Sequence, residues 1–228
     1  QMCIRDRDST IKSNAKIYNK NVTVLEKLNQ TNNYKNKIAA FASWDVFPYI
    51  INDKRSGIPV NAGYMEELNI KTPVVDYINK NQKRTPVIWE NVRLDVYTHN
   101  LALEYIKKKR PKLVYIAYGE TDDFAHGGKY DFYINSLNYT DNMIAELWGY
   151  VQSNKFYKDN TYFIITTDHG RGLMEDWAGH GTSKASWLAI LGPNVEKTGL
   201  VEGEFFTNQI AETIMQISKK SKTKIPTD

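Results

Sequence analysis

Lys112-Leu113-Val114-Tyr115-Ile116-Ala117-Tyr118 runs without a break into Gly119-Glu120-Thr121-Asp122-Asp123-Phe124-Ala125-His126. The first segment is apolar and β-prone, the pattern of a strand covered on both faces. The second places two carboxylates and an imidazole just beyond it. Open parallel sheets bind ligands there, outside the carboxyl ends of their strands. The arrangement recurs downstream: the apolar Tyr162-Phe163-Ile164-Ile165-Thr166-Thr167 ends in Asp168-His169-Gly170.

Between these two strands the spacing of Ile134, Leu137, Ile144, Leu147, Trp148 and Val151 predicts a helix over 130–153. Upstream, a helix is expected over 91–109 and another from Thr72-Pro73 to about Lys80, where a capping threonine precedes a first-turn proline. Residues 37–43 read as a buried strand, residues 22–28 as a short helix capped by Asn21, and 44–70 as loop and short helix. Downstream, a strand is expected over 186–191 and a helix over 207–218 that buries Ile210, Ile214 and Ile217. Strands separated by amphipathic helices predict an α/β fold with a largely parallel sheet and helices on both faces. Neither a repeat nor a low-complexity linker interrupts residues 9–228, which read as one domain.

The composition narrows the function. The chain has 228 residues, 41% of them hydrophobic, with 15 Tyr and 5 Trp, so it carries enough apolar surface for a core. The net charge of +4 is concentrated in Lys107-Lys108-Lys109-Arg110 and in a lysine-rich tail from Lys219 to Lys224. The first reads as a helix end, where cations suit the dipole, and the second as a solvated tail. No aromatic-basic motif accompanies them, so no nucleic-acid partner is expected. A single cysteine, Cys3, excludes a disulfide framework and a cysteine-built zinc site. No apolar run reaches the roughly 18 residues of a membrane-spanning helix.

Three of the four histidines, His126, His169 and His180, have glycine beside them, His180 in Ala178-Gly179-His180-Gly181-Thr182. With Asp122 and Asp168 they offer the oxygen and neutral-nitrogen donors that zinc accepts at about 2 Å. Two such clusters suit two divalent ions roughly 4 Å apart, as in phosphoryl-transfer sites. One Asp-His pair in a loop is more often solvated surface. The ordered set after successive strands is what points to metal. Asp123 is the fallback for Asp122, and manganese the alternative to zinc, since their ligand sets overlap. Arg171 either positions the loop or meets an anion. Glu120 and Thr121 are candidates to orient the imidazoles. Ser43-Trp44-Asp45 suits the rim of a site, with Ser43 equally placed to cap the next helix, and His99, inside its helix, reads as a surface or packing residue.

These stretches, Asp122-x-x-x-His126, Thr167-Asp168-His169-Gly170 and Gly179-His180-Gly181, resemble in order the motifs of the alkaline phosphatase superfamily. Residues 208–214 resemble the helix that follows that family's last ligand histidine, and the likeness covers about residues 20–218. It implies an alkaline-phosphatase-like three-layer sandwich. It also implies one metal on Asp122, His126 and His180, and a second on Asp168 and His169 with an aspartate and the nucleophile from an early strand.

That early strand has no counterpart before Asn21. Gln1-Met2-Cys3-Ile4-Arg5-Asp6-Arg7 resembles translated sequencing adapter, so residues 1–8 are expected to be an artefact and 9–228 the C-terminal part of a catalytic domain. Ser9 and Thr10 follow no apolar strand and make poor nucleophiles. The resemblance therefore implies an exported, metal-dependent hydrolase of small phosphate mono- or diesters acting through a Ser or Thr phospho-enzyme, its nucleophile outside this fragment. The alternatives are a sulfatase and a non-catalytic metal- or phosphate-binding relative.

Overall fold

The computed structural model describes residues 10–66, 69–172, 174–180 and 186–220. The adapter-like residues 1–8 with Cys3, Ser9, Gly181 and Thr182 of the glycine-flanked loop, and the tail beyond 220 lie outside the described residues. Along the chain run α1 (Val24–Asn29), β1 (Ile38–Ala42), α2 (Phe47–Ile51), α3 (Asp53–Ser56), β2 (Val60–Ala62), α4 (Pro73–Gln82) and α5 (Asp95–Lys109). They are followed by β3 (Leu113–Ala117), α6 (Glu120–His126), α7 (Tyr130–Ser153), β4 (Phe163–Thr166), a 3-10 turn (Met174–Ala178), β5 (Leu188–Leu191) and α8 (Asn208–Lys220).

The heart of the fold is a parallel sheet in the order β2-β1-β3, with Ala40 opposite Val60 and Tyr115. Side chains alternate across a strand, so β1 feeds two cores. Ala39 and Phe41 pack with Val75 and Ile78 of α4 and with Leu101, Ala102 and Tyr105 of α5. Ile38 and Ala40 pack on the other face with Leu25 and Leu28 of α1 and Ile51 of α2, joined by Ile214 and Met215 of α8. Helices thus cover both faces, as the sequence predicts. Every residue of β1 is buried, and each fully buried large aliphatic side chain contributes about 1.5–3 kcal/mol.

A third cluster sets the second half beside the first: Leu103 and Ile106 of α5 meet Leu147 and Val151 of α7, with Val114 and Ile116 of β3 and Phe163 of β4 packed against them. The strand expected over 186–191 forms as Leu188–Leu191, but it pairs antiparallel with β4. A parallel pair needs a crossover, usually a helix, back to the starting edge. Among its described residues the segment between β4 and β5 instead carries the 3-10 turn. Among the described residues, β3 pairs only on its β1 side and β4 only on its β5 side. Coverage there is partial: Tyr115 of β3 is 42% exposed, as are Leu137 (42%) and Ile134 (37%) of α7.

Several local expectations are corrected. The first helix is capped by Thr23, not Asn21: Thr23 is extended and its Oγ1 accepts from the amide of Glu26. Helix α5 starts at Asp95 because Val92 is held in an antiparallel bridge to Trp44. A short strand, β2, sits inside the stretch read as loop. Ser43 caps no helix; its hydroxyl turns inward to Asp95. In α8, Ile210, Ile214 and Ile217 are half-buried rather than buried.

Candidate metal centre

Helix α6 opens directly after β3, and its length places Asp122 and His126 four residues apart on one face. The N-cap is Gly119, which has no side chain to satisfy the exposed amides of the first turn. Asp95, at the start of α5, supplies that partner: Oδ1 accepts from the amide of Gly119 at 2.8 Å and Oδ2 from that of Glu120 at 3.0 Å. The Glu120 carboxylate accepts in return from the amide of Asp95 at 2.6 Å. It therefore faces the helix start and not an imidazole. The Gly119 turn is tight, since a Cβ there would stand 3.0 Å from Val92 Cγ1.

The other donors arrive after β4. Asp168 and His169 follow the strand end, and Gly172 lets the backbone fold against the 3-10 turn, where a Cβ would overlap the Asp176 carbonyl oxygen. The turn then delivers His180. Arg171 ties it to α6, donating to the main-chain oxygens of Ala178 and Asp122 and pairing closely with the Asp122 carboxylate. Of the two roles open to Arg171, bridging this loop is the one its contacts show.

The five residues singled out in the sequence meet in one cluster, with Asp122 at its hub. Asp122 Oδ2 lies 3.4 Å from His126 Nε2, and Oδ1 lies 3.8 Å from His180 Nε2 and 3.6 Å from His169 Nε2. His126 Nε2 and His180 Nε2 are 3.1 Å apart. Asp168 stands on the outer side, its Oδ1 3.7 Å from His169 Nε2. Its side chain is 72% exposed, whereas that of His169 is 13% exposed.

These spacings fit a cation. Donors about 2 Å from a tetrahedral ion lie about 3.3 Å from each other. The contacts among Asp122, His126 and His180 lie around that value, Oδ2 facing His126 and Oδ1 facing His180, and one donor atom from each residue falls within 4.8 Å of the others. His169 Nδ1 is 3.0 Å from the carbonyl oxygen of Gly170. A carbonyl only accepts, so Nδ1 carries the proton and Nε2 presents a lone pair to the cluster. His180 is held below the usual histidine range by burial and by neighbouring His169, which favours the neutral, ligating form. Asp123, the fallback ligand, makes no ion pair in the cluster; burial and the adjacent Asp122 push its carboxyl up to about 6.

Sequence reasoning missed Asp95 and Arg93. Both are essentially inaccessible, at 1% and 0% exposure. Burial, then the charge of Glu120, pushes the Asp95 carboxyl up to about 7, and burial lowers Arg93 to about 9. Asp95 sits where a first-turn acid is ordinary, so nothing local marks it. Of the surface and packing roles open to His99, the structure shows packing, at 1% exposure between the Tyr118 hydroxyl and Glu146.

Against known proteins, a family model described as the Metalloenzyme superfamily matches residues 95–221. No curated protein and no solved structure matches the chain.

Proposed function

The chain belongs to the Metalloenzyme superfamily, within the alkaline-phosphatase-like enzymes, and we propose that it forms most of the catalytic domain of a metal-dependent phosphoric ester hydrolase. Membership points to metal-dependent transfer of phosphoryl or sulfuryl groups. The observation that carries the reading is the convergence of Asp122, His126 and His180 within 4.8 Å, with the Asp168-His169 pair alongside. Three histidines and two aspartates exceed what one four-coordinate ion takes, which favours two sites. One is made of Asp122, His126 and His180, and the other of Asp168, His169 and a further carboxylate.

When bound, divalent ions in such a pair polarise the phosphoryl oxygens and lower the pKa of the attacking group. The chain's own residues do the rest. Arg171 fixes the Asp122 carboxylate and holds the turn bearing His180 against α6. His169, its Nδ1 proton committed to Gly170, keeps Nε2 free. The nucleophile in this reading is a Ser or Thr outside the described residues, entering on a strand that also brings the missing aspartate. Among the described residues the outer edges of β3 and β4 pair with no strand, which supports this, because their carboxyl ends lead to the same cluster. Its oxygen attacks phosphorus, the bond to the ester oxygen breaks, and that oxygen leaves with a proton. Water then cleaves the phospho-enzyme. Zinc is the favoured metal, small phosphate mono- or diesters the substrates, and export of the whole protein part of the same account. No helix among the described residues is long and apolar enough to cross a membrane.

The test is hydrolysis by the product of the complete gene. p-Nitrophenyl phosphate or its bis-ester should be cleaved in the presence of zinc or manganese, with loss on chelation and in Asp168→Asn. Cleavage of p-nitrophenyl sulfate alone would make it a sulfatase. Zinc binding without turnover of any ester would make it a binding relative.

A further inference from the structure

We propose that Asp95 is a positioning residue for the metal centre: its carboxylate caps α6 from another helix and so sets where Asp122 and His126 stand. The inference rests on the metal reading for its consequence, but its geometry stands apart from it.

A helix of seven residues has little stability of its own, and α6 begins on a glycine that offers its amides nothing. One carboxylate, 24 and 25 residues earlier in the chain, takes both amides at 2.8 and 3.0 Å. The return bond from the Asp95 amide to Glu120 locks the two helix starts together. Asp95 is itself fixed from the sheet: the Ser43 hydroxyl, just past β1, donates to Oδ1 at 2.5 Å and also meets Thr98 at 2.8 Å. Arg93 lies on Thr98 through Nε at 2.8 Å, and its amide donates to the Ser43 carbonyl oxygen. The ends of β1 and β3 and the starts of α5 and α6 therefore meet on a single side chain.

Stability alone gives little reason for this arrangement. A carboxylate at 1% exposure carries a desolvation cost that a well-packed apolar group avoids. What the carboxylate provides, and an apolar group does not, is two acceptors spaced for consecutive amides. Two residues beyond the second of those amides is Asp122, the hub of the cluster. A shift of the helix start displaces both Asp122 and His126 relative to β4, from which the loop carrying His169 and His180 leaves.

Asp95→Asn tests this in the 228-residue chain. The amide nitrogen of asparagine cannot accept, so one of the two amides loses its partner. Hydrogen exchange should rise at Gly119, Glu120 and through α6 but not in β1 or α4, and the zinc dissociation constant should rise about 10–100-fold, the range for residues supporting metal ligands. Leu101→Ala is the control, a core cavity that lowers stability while leaving zinc affinity within about twofold. Should Asp95→Asn not fold, Ser43→Ala removes one donor to the same carboxylate and should move both readings the same way by less. Exchange in α6 no faster than in Leu101→Ala, with unchanged zinc affinity, would overturn the proposal. If the unaltered chain binds no zinc, the metal reading fails, and the exchange pattern alone decides whether Asp95 positions α6.

Discussion

His126 Nε2 and His180 Nε2 lie 3.1 Å apart although 54 residues separate them. The first is carried by a helix that starts at the end of β3, the second by the turn that follows β4. Two neutral imidazoles can share one proton across that gap. The Asp122 carboxylate beside both nitrogens, however, makes the group a ready set of metal donors. No single element holds it: β3, β4, the Gly172 turn and the Arg171 bridge all have to form.

Asp122 lies against His126, His169, His180 and Arg171. Asp122→Asn should therefore weaken zinc binding beyond the about 10–100-fold expected for a supporting residue. It should also remove the ion pair to Arg171 while leaving its bonds to the main-chain oxygens of Ala178 and Asp122. Competition with a chromophoric chelator reads the affinity; an unchanged dissociation constant would remove Asp122 from the ligand set.

Zinc binding should weaken as the solution is acidified through about pH 6.5, because protonated imidazole cannot ligate. His180, lowered by burial and by His169, should protonate below the ordinary histidine value. Its preference for the neutral form stabilises the fold above the ordinary histidine value and is lost as pH falls through the depressed one. A titration of zinc affinity from pH 8 to pH 5 checks this; a flat profile would speak against histidine ligation.

Asp95 has the opposite sign to an ordinary salt-bridged acid. Its carboxyl is raised to about 7 from an unfolded value of about 3.9. The folded state therefore favours the protonated form. That stabilisation is complete below about pH 4 and is lost as pH rises through about 7. The unfolding free energy of the native chain minus that of Asp95→Asn should fall across this window in urea titrations. A difference that stays constant or rises with pH would contradict the burial argument.

Two substitutions check the scaffold away from the site. Leu101, fully buried between α4, α5 and β1, should cost about 2–5 kcal/mol as alanine. Thr72, whose hydroxyl accepts from the amide of Val75 at 3.1 Å, should cost about 1 kcal/mol as alanine, the usual value of an N-cap. Chemical denaturation measures both, and neither should alter zinc affinity.

Much of this was readable because it is local. The helix over 130–153 matches α7 because its apolar positions keep helical spacing over 24 residues and no proline interrupts them, Gly149 being carried within the helix. The Thr72-Pro73 start holds because capping is settled within four residues. Asp122, His126, Asp168 and His169 were legible because they follow apolar strands, and His180 because glycines flank it. Where distant partners decide, the sequence was silent. Val92 leaves its helix for a bridge to Trp44. A three-residue β2 gains its identity from pairing with β1. The direction of β5 depends on what lies between it and β4. Asp95 looks like any first-turn acid until β1 and β3 bring Ser43 and Gly119 to it.

The account's central claim is that Asp122, His126 and His180 hold a divalent cation. Equilibrium dialysis of the 228-residue chain against zinc, followed by elemental analysis, tests it most directly. The native chain should retain at least one zinc per molecule, and a folded His126→Ala/His180→Ala variant should retain at least one fewer. Equal zinc content in the two proteins would contradict the claim.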